Sequence, residues 1–184
     1  MRTLWQGGVQ DHRGCHYRVA HARIYDLPAS PPPIVVSGFG PKAIDLAARI
    51  GDGFCTVGPD ADAVARFRSG ARDGTIVQGG LKVCWGEDER EAIRTVHRLW
   101  PNEELPGELA QVLPTPEHFM QASSLVTEEM IAESLPCGPD VDTHVEAIKA
   151  YAEAGFDELF VNQIGPDQDA FFGAYRERVL PQLQ

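Results

Sequence analysis

The segment Ile34-Val35-Val36-Ser37-Gly38-Phe39-Gly40-Pro41 decides the fold of this chain. Its first three residues form a continuous β-branched run, which is typical of a strand covered on both faces, as in a parallel sheet. Gly38 and Gly40 permit a tight turn, and Pro41 suits the first helical position, where a missing N–H costs no hydrogen bond. The segment therefore predicts a strand, a turn and a helix in direct succession.

Three more apolar runs predict strands, at residues 53–57, 80–85 and 158–163. A Gly-Pro-Asp step, at residues 58–60, 138–140 and 165–167, opens three of the predicted helices. We expect Pro at the first helical position and Asp at the positive helix start. The residues predicted to face the core are Ile44, Ala47, Ala48, Val64, Phe67, Ile93, Val96, Trp100, Val145, Ile148, Ala152, Phe171, Phe172, Tyr175 and Val179. Strand–helix units in series indicate a parallel sheet with right-handed crossovers.

The remaining segments divide the single predicted domain. Residues 1–33 hold a helix end, a hairpin with strands near 14–19 and 22–27, and a Pro-rich connector. Residues 34–100 hold three strand–helix units, and residues 101–136 are an irregular insertion with short helices near 118–126 and 127–135. Residues 137–184 form a last helix–strand–helix. Four buried strands fit either an open sheet flanked by helices or part of a (β/α)₈ barrel, which typically needs ~250 residues.

Composition excludes several classes of partner. The chain has 184 residues and a net charge of −11, which repels phosphate backbones and anionic lipids, so we expect neither nucleic-acid nor membrane partners. No apolar run approaches the ~18 residues of a membrane-spanning helix, and the start lacks the apolar core of a signal peptide, so we expect a cytoplasmic protein. The four cysteines form no C-x-x-C pair, and we expect them to act as small hydrophobic residues, with no metal site.

Five short segments, in this order and spacing, carry a resemblance to a known family. They are Tyr25-Asp26-Leu27-Pro28, Val36-Ser37-Gly38-Phe39-Gly40-Pro41-Lys42-Ala43, Arg49-Ile50-Gly51-Asp52-Gly53-Phe54, Pro136-Cys137-Gly138-Pro139-Asp140 and Gln163-Ile164-Gly165-Pro166-Asp167. Residues 4–183 resemble the C-terminal part of the luciferase-like flavin- and deazaflavin-dependent oxidoreductases, in the branch of the coenzyme F420-dependent glucose-6-phosphate dehydrogenases. The resemblance implies strands five to eight of a (β/α)₈ barrel.

The same resemblance implies a cofactor site. In the resembled enzymes the loop matching Ser37, Gly38, Phe39 and Gly40 contacts the phosphate-bearing tail of coenzyme F420, and Thr56 at the end of the next strand is a further candidate. The physical chemistry agrees, because backbone amides and the helix dipole bind anions at a helix start. The resemblance implies hydride transfer between F420 and a small organic substrate.

The family's phosphate-binding residues for a sugar phosphate have no counterpart here. Pro59 and Asp60 follow the second strand where the branch has a Lys, and residues 101–136 contain neither Lys nor Arg. We therefore do not expect glucose-6-phosphate as substrate. The family's catalytic groups lie in the first barrel half, so no catalytic residue is assigned. His118, His144 and Glu117 could act as acid–base groups by type, but solvated or capping roles are favoured for the two histidines.

Two alternatives stay open. One is a catalytically inactive half-barrel that self-associates through its open sheet edges, which are prone to pair with another chain. The other is an FMN-dependent monooxygenase of the same superfamily. Asn162 and Gln163, at the end of the fourth predicted strand, are candidates for lining a polar pocket, whether the enzyme uses F420 or FMN.

Overall fold

The computed structural model describes residues 1–107 and 109–183, so Glu108 in the predicted insertion and Gln184 lie outside the described residues. The strands are β1 Gln10–Arg13, β2 Arg18–Ala22, β3 Val35–Ser37, β4 Gly53–Val57, β5 Ile76–Val83 and β6 Glu158–Gln163. The helices are α1 Pro41–Ile50, α2 Ala61–Gly70, α3 Glu89–Leu99, α4 Leu109–Val112, α5 Pro116–Ser123, α6 Glu128–Ser134, α7 Val141–Glu153 and α8 Gln168–Ala174. A π-helical turn, Tyr175–Val179, continues α8.

Strands β3 to β6 form one parallel sheet in sequence order, and β1 pairs antiparallel with β2 in a separate hairpin. Parallel pairing places Val36, Phe54 and Val77 in one row across the sheet. These three side chains pack in one cluster with the buried residues of α1 and α2. Leu81 and Val161 form a second such row, packed against α7 and α8. The helices therefore cover the side of the sheet to which these rows point.

Side chains alternate along a strand, so the intervening rows point to the opposite side. We call this side the open face. Its residues are Val35, Ser37, Gly53, Cys55, Val57, Ile76, Gln78, Gly80, Lys82, Glu158, Phe160 and Asn162. Val57 remains 50% exposed and Phe160 61% exposed. Within the described residues the outer edges of β3 and β6 pair with no strand.

Two carboxylates accept hydrogen bonds at the amino ends of β3 and β5. Asp52 accepts hydrogen bonds from the Ile34 amide (2.9 Å), from Arg2 (2.8 Å) and from Arg72 (2.8 Å). The Ile34 amide, followed by the Arg2 side chain, holds the pKa of Asp52 below its usual value. Asp157 accepts from the Val77 amide and from an arginine of α2, both at 2.7 Å. Each carboxylate thus ties the start of a strand to a neighbouring loop or helix.

The helices that follow the Gly-Pro-Asp steps begin two positions later than predicted, at Ala61, Val141 and Gln168. Asp60, Asp140 and Asp167 are the N-cap residues, and each side chain accepts a hydrogen bond from an amide of the first turn. The preceding prolines therefore lie outside the helices. A capping Asp satisfies an amide that would otherwise have no partner, which outweighs placing Pro inside the helix. Only Pro41 occupies the predicted first position.

Other boundaries also differ from the prediction. The hairpin strands, Gln10–Arg13 and Arg18–Ala22, begin about four residues before the predicted ones, because the turn lies at residues 14–17. Strand β5 begins at Ile76, four residues before the predicted start at residue 80. The prediction was wrong because Gly79 and Gly80, in the interior of the strand, interrupt its apolar pattern. Three residues that were predicted to face the core are exposed: Trp100 is the C-cap residue that follows α3, Ala152 lies on the outer side of α7, and Phe172 is 64% exposed on α8.

His144 belongs to the core, in contrast to the solvated or capping role favoured from the sequence. It is fully buried in α7. Its Nε2 lies 3.1 Å from the Gly138 carbonyl oxygen, which can only accept, so Nε2 carries the proton. Nδ1 therefore accepts from the Tyr175 hydroxyl at 2.8 Å. Burial lowers the pKa of His144, although the Gly138 carbonyl and Asp140 act in the opposite sense. The neutral imidazole thus joins α7 to the π-helical turn.

We expect Gly79→Ala to destabilise the fold by about 1–3 kcal/mol through overpacking. An added Cβ would lie 2.7 Å from Tyr151 Cδ1 and 3.0 Å from Phe156 Cδ1. The Tyr151 ring is held in place, because its hydroxyl donates to the Gly80 carbonyl (2.9 Å) and accepts from the Gly58 amide (3.1 Å). Chemical denaturation measures the change. The control Gly173→Ala, on α8 with open space around its Cβ, should be neutral or stabilising. Equal effects of the two substitutions would contradict the packing argument.

We also expect the free energy of unfolding to fall as the pH falls below about 6.5, the value of an unfolded histidine. The pKa of His144 is lowered in the folded state, so on acidification the unfolded chain binds a proton at a higher pH than the folded chain does. Proton binding then stabilises the unfolded state relative to the folded state. One proton limits the slope to about 1.4 kcal/mol per pH unit. Denaturation at a series of pH values, with His144→Gln as the control, measures it. An unchanged pH profile in His144→Gln would remove His144 as the cause.

Candidate functional site

The loop after β3 lies at the carboxyl end of the sheet and is fixed against β4. Ser37 is in register with Cys55, and the Gly38 amide donates to the Cys55 carbonyl at 3.3 Å. Gly38 is buried, and a Cβ there would lie 2.7 Å from Cβ of Ala43 in α1. The loop therefore needs glycine at this position in order to turn directly into the helix.

The start of α1 is chemically unlike the starts of the neighbouring helices. Its N-cap is Gly40, and among the described residues no side chain caps it. Asp residues cap α2, α3, α7 and α8. Apart from Gly40 itself and its chain neighbours Phe39 and Pro41, no described residue has an atom within 4 Å of a Cβ placed on Gly40, so the approach to the helix start is open. The exposed Lys42 in the first turn adds a positive charge. This helix end favours an anion and leaves space for one.

The five cofactor residues predicted from the sequence do not share one environment. Ser37, Phe39 and Gly40 are exposed at the carboxyl end of the sheet, and Phe39 is 55% exposed. Thr56 is only 4% exposed. It belongs to the row that contains Gly79, on which the Tyr151 ring packs, so its side chain points toward the helices. A cofactor role for Ser37, Gly38, Phe39 and Gly40 fits this geometry, whereas the Thr56 side chain is directed away from the open face; all five assignments stay predictions.

The two polar residues at the end of β6 have different surroundings. Asn162 is exposed on the open face, where it can contact a ligand. Gln163 is buried, its Oε1 accepting from the Trp85 amide (2.8 Å) and its Nε2 donating to the Trp85 carbonyl (3.0 Å). Both polar atoms of the Gln163 side chain thus bind the chain that follows β5. The side chain joins the ends of two strands instead of lining a pocket.

A cavity of about 600 Å³ lies between the ends of β4 and β5, α6 and α7. Among the described residues that line the cavity, the one cation is Lys82, which forms an ion pair with Glu103 at 2.6 Å. The acidic residues of its lining are Glu103, Glu104, Glu133 and Glu146. The sequence analysis did not predict that these residues lie together. One signal was present: side chains alternate along a strand, so Lys82 could have been assigned to the side of β5 opposite to Leu81 and Val83. The charge of this cavity disfavours a phosphate dianion.

The thiols of Cys55, Cys84 and Cys137 are poor candidates for nucleophiles, whereas Cys15 is exposed and so lacks the packing role predicted for all four cysteines. Cys84 and Cys137 are buried and paired by backbone hydrogen bonds, in which Cys84 N donates to Pro136 O and Gly138 N donates to Cys84 O, both at 2.9 Å. Burial, together with the neighbouring Cys84 and Glu89, raises the pKa of Cys137 to about 12. Burial also raises the pKa of Cys84 and of Cys55. At neutral pH these groups remain thiols, which supports their expected packing role.

No helix in the described part of the chain is long and apolar enough to cross a membrane. The expectation of a cytoplasmic protein stays a prediction.

Comparison with known proteins places these features in a family. The model of the luciferase-like monooxygenases matches residues 1–158. The F420-dependent glucose-6-phosphate dehydrogenase of Nakamurella multipartita is 32% identical over 196 residues, which cover 100% of this chain and 58% of that protein. This chain thus spans about three fifths of the length of the curated relatives it matches.

Solved structures share the fold. An F420-dependent secondary alcohol dehydrogenase in complex with an F420–acetone adduct has a TM-score of 0.84 at 21% identity, over 100% of this chain and 58% of that one. The oxygenating constituent of 3,6-diketocamphane monooxygenase from Pseudomonas putida, in complex with FMN, has a TM-score of 0.60 at 17% identity, over 98% of this chain and 60% of that one. The predicted fold class, part of a (β/α)₈ barrel with four parallel strands, a hairpin and a helical insertion, is confirmed. The chain belongs to the luciferase-like monooxygenase family.

Proposed function

We propose that this chain forms the cofactor-tail-binding part of an F420-dependent oxidoreductase that transfers hydride between the deazaflavin and a small organic substrate. The observation that carries the proposal is the open, uncapped start of α1 behind Ser37–Gly40. The F420-dependent relatives support the choice of cofactor.

The loop fits the phosphate-bearing tail of such a cofactor. Gly40 leaves space above the helix start, Ser37 brings a hydroxyl group, and Lys42 brings a positive charge. The amide of Lys42 lies in the first turn beyond Pro41, where a helix amide has no intrahelical partner. These groups would bind and orient the tail, while the bound deazaflavin supplies the hydride chemistry.

We assign no catalytic residue within this chain. His144, the acid–base candidate on α7, is fully buried, and both its ring nitrogens are engaged. His118 lies on α5, where its Nδ1 is 2.6 Å from the hydroxyl oxygen of the N-cap residue Thr115. Proton transfer to a substrate needs a group within hydrogen-bonding reach of it. In the proposal, groups outside residues 1–184 supply that step.

The substrate in this proposal is not glucose-6-phosphate, although the curated relatives bear that name. Asp60, after β4, is an N-cap, and its carboxylate would repel a phosphate dianion. Lys82 already pairs with Glu103. The acidic cavity at the end of β5 fits a neutral small organic substrate better than an anion.

Gly40→Asp should weaken binding of F420 at least tenfold, since it places a carboxylate where the cofactor phosphate would bind. The cofactor's intrinsic fluorescence, followed during titration with the purified chain, measures the dissociation constant. The fold should be retained, because Asp is a favourable N-cap residue and the position has open space.

Two control variants separate charge from structure. Gly40→Ala should change the affinity by less than Gly40→Asp does, and Gly173→Asp, which adds the same charge on α8, should leave it unchanged. Titration with FMN distinguishes the cofactors. Wild-type chain that binds FMN but not F420, or Gly40→Asp chain that binds F420 as tightly as wild type, would refute the proposal.

A further inference from the structure

Two buried cysteines lie side by side where the chain leaves β5 and where it returns. Cys84 directly follows β5, and Cys137 precedes the start of α7. The two residues form a parallel β-bridge, held by the two backbone hydrogen bonds described above. Both side chains belong to the apolar cluster that contains Val96 and Ile131. The two thiols therefore lie on the same side of the bridge.

The spacing of the bridge suits a disulfide. Neighbouring strands lie about 4.8 Å apart, so the Cα atoms of bridge partners are separated by about that distance. Disulfide-bonded cysteines have Cα separations of about 4.4–6.8 Å. Cys15 and Cys55 are neither partners in this bridge nor members of the cluster. Register and spacing thus single out Cys84 and Cys137 among the four cysteines.

A small oxidant can reach the pair from a surface cavity. Cys137 lines a cavity of about 510 Å³ beside Leu135 and Pro139. Thiolates are the reactive form of cysteine, and the pKa of Cys137, raised by burial to about 12, keeps its thiolate rare at neutral pH. Burial therefore makes oxidation slow, whereas the geometry of the bridge decides which bond is formed.

We infer that Cys84 and Cys137 form an intramolecular disulfide when hydrogen peroxide oxidises the chain. The Cys137 sulfur attacks one peroxide oxygen, the O–O bond breaks, and the hydroxide that leaves takes the thiol proton to become water. The Cys84 sulfur then attacks the sulfur of the resulting sulfenic acid, the S–O bond breaks, and a second water leaves with the Cys84 proton. Two thiols are oxidised to one disulfide, and one peroxide is reduced to two waters. This redox modification is independent of the cofactor proposal.

The disulfide closes residues 85–136 into a covalent loop at its base. This segment contains α3 to α6, and it supplies Glu103, Glu104 and residues 132–135 to the lining of the 600 Å³ cavity. In the reduced chain the base of the segment is held by the hydrogen bonds of the bridge. A disulfide also restricts the unfolded chain, which stabilises the folded state. Oxidation therefore tethers one wall of the cavity to β5 and makes the fold more stable.

The double variant Cys15→Ser/Cys55→Ala keeps only the two cysteines of the bridge. After incubation of the folded variant with hydrogen peroxide, thiol counting in denaturant should show that both thiols are lost together, and dithiothreitol should restore both. Peptide mass spectrometry should identify a Cys84–Cys137 link within single chains. The rate should rise about tenfold per pH unit between about pH 7 and 9, because thiolate formation limits it.

Chemical denaturation measures the effect of the link on stability. The oxidised double variant should unfold at a higher denaturant concentration than its reduced form. Adding Cys137→Ala gives the matched control, in which peroxide should not raise the midpoint, because one remaining thiol cannot close the loop. Oxidation of methionine acts on both variants alike. If the Cys137→Ala variant does not fold, Cys84→Ala replaces it with the same expected result.

Three outcomes overturn the inference. The first is a folded double variant that keeps both thiols in peroxide, or loses them to sulfinic or sulfonic acids. The second is a link between chains, seen as a doubled mass on a non-reducing gel. The third is a link that forms only in denaturant, since the bridge of the folded chain would then not direct it.

Discussion

Parallel pairing of β3 to β6 is the constraint on which the other features depend. It sends Val36, Phe54 and Val77 toward α1 and α2, and it sends the residues one position away toward the open face. A strand in a parallel sheet of this kind is normally buried on both sides. Here the helices bury one side, so the chain gains its core there and leaves on the other a mixed surface, in which Val57 and Phe160 lie among polar residues such as Lys82, Glu158 and Asn162.

The same pairing concentrates chemistry at the carboxyl end of the sheet. Asp60, Asp88, Asp140 and Asp167 each occupy a helix start there, which compensates the positive end of the helix with the chain's own charge. Gly40 leaves the start of α1 uncompensated. An external anion can bind where no internal carboxylate competes, and this contrast directs the functional proposal to the loop at Ser37–Gly40.

Buried polar groups form directional hydrogen bonds between elements whose relative position apolar packing alone would not determine. The Gln163 amide fixes the end of β5 to β6 through Trp85, and His144 fixes α7 to the π-helical turn through Tyr175. Each buried group is satisfied at both of its polar positions, which is the condition under which burial of a polar side chain is tolerated. These residues resembled functional candidates in the sequence because polar residues at strand ends and histidines are common in active sites.

The sequence by itself determined the strand–turn–helix order, the four parallel strands and the glycine-rich turn, because β-branched runs, helical periodicity and Gly-Pro steps are local signals. It also indicated the family through short segments around these turns. Only the tertiary structure decided that Thr56 and Gln163 turn toward the helices, that Phe172 is exposed, and that His144 is buried. Those outcomes depend on register and on which helix lies against which strand, and no local pattern of residues encodes contacts between positions as distant as Trp85 and Gln163.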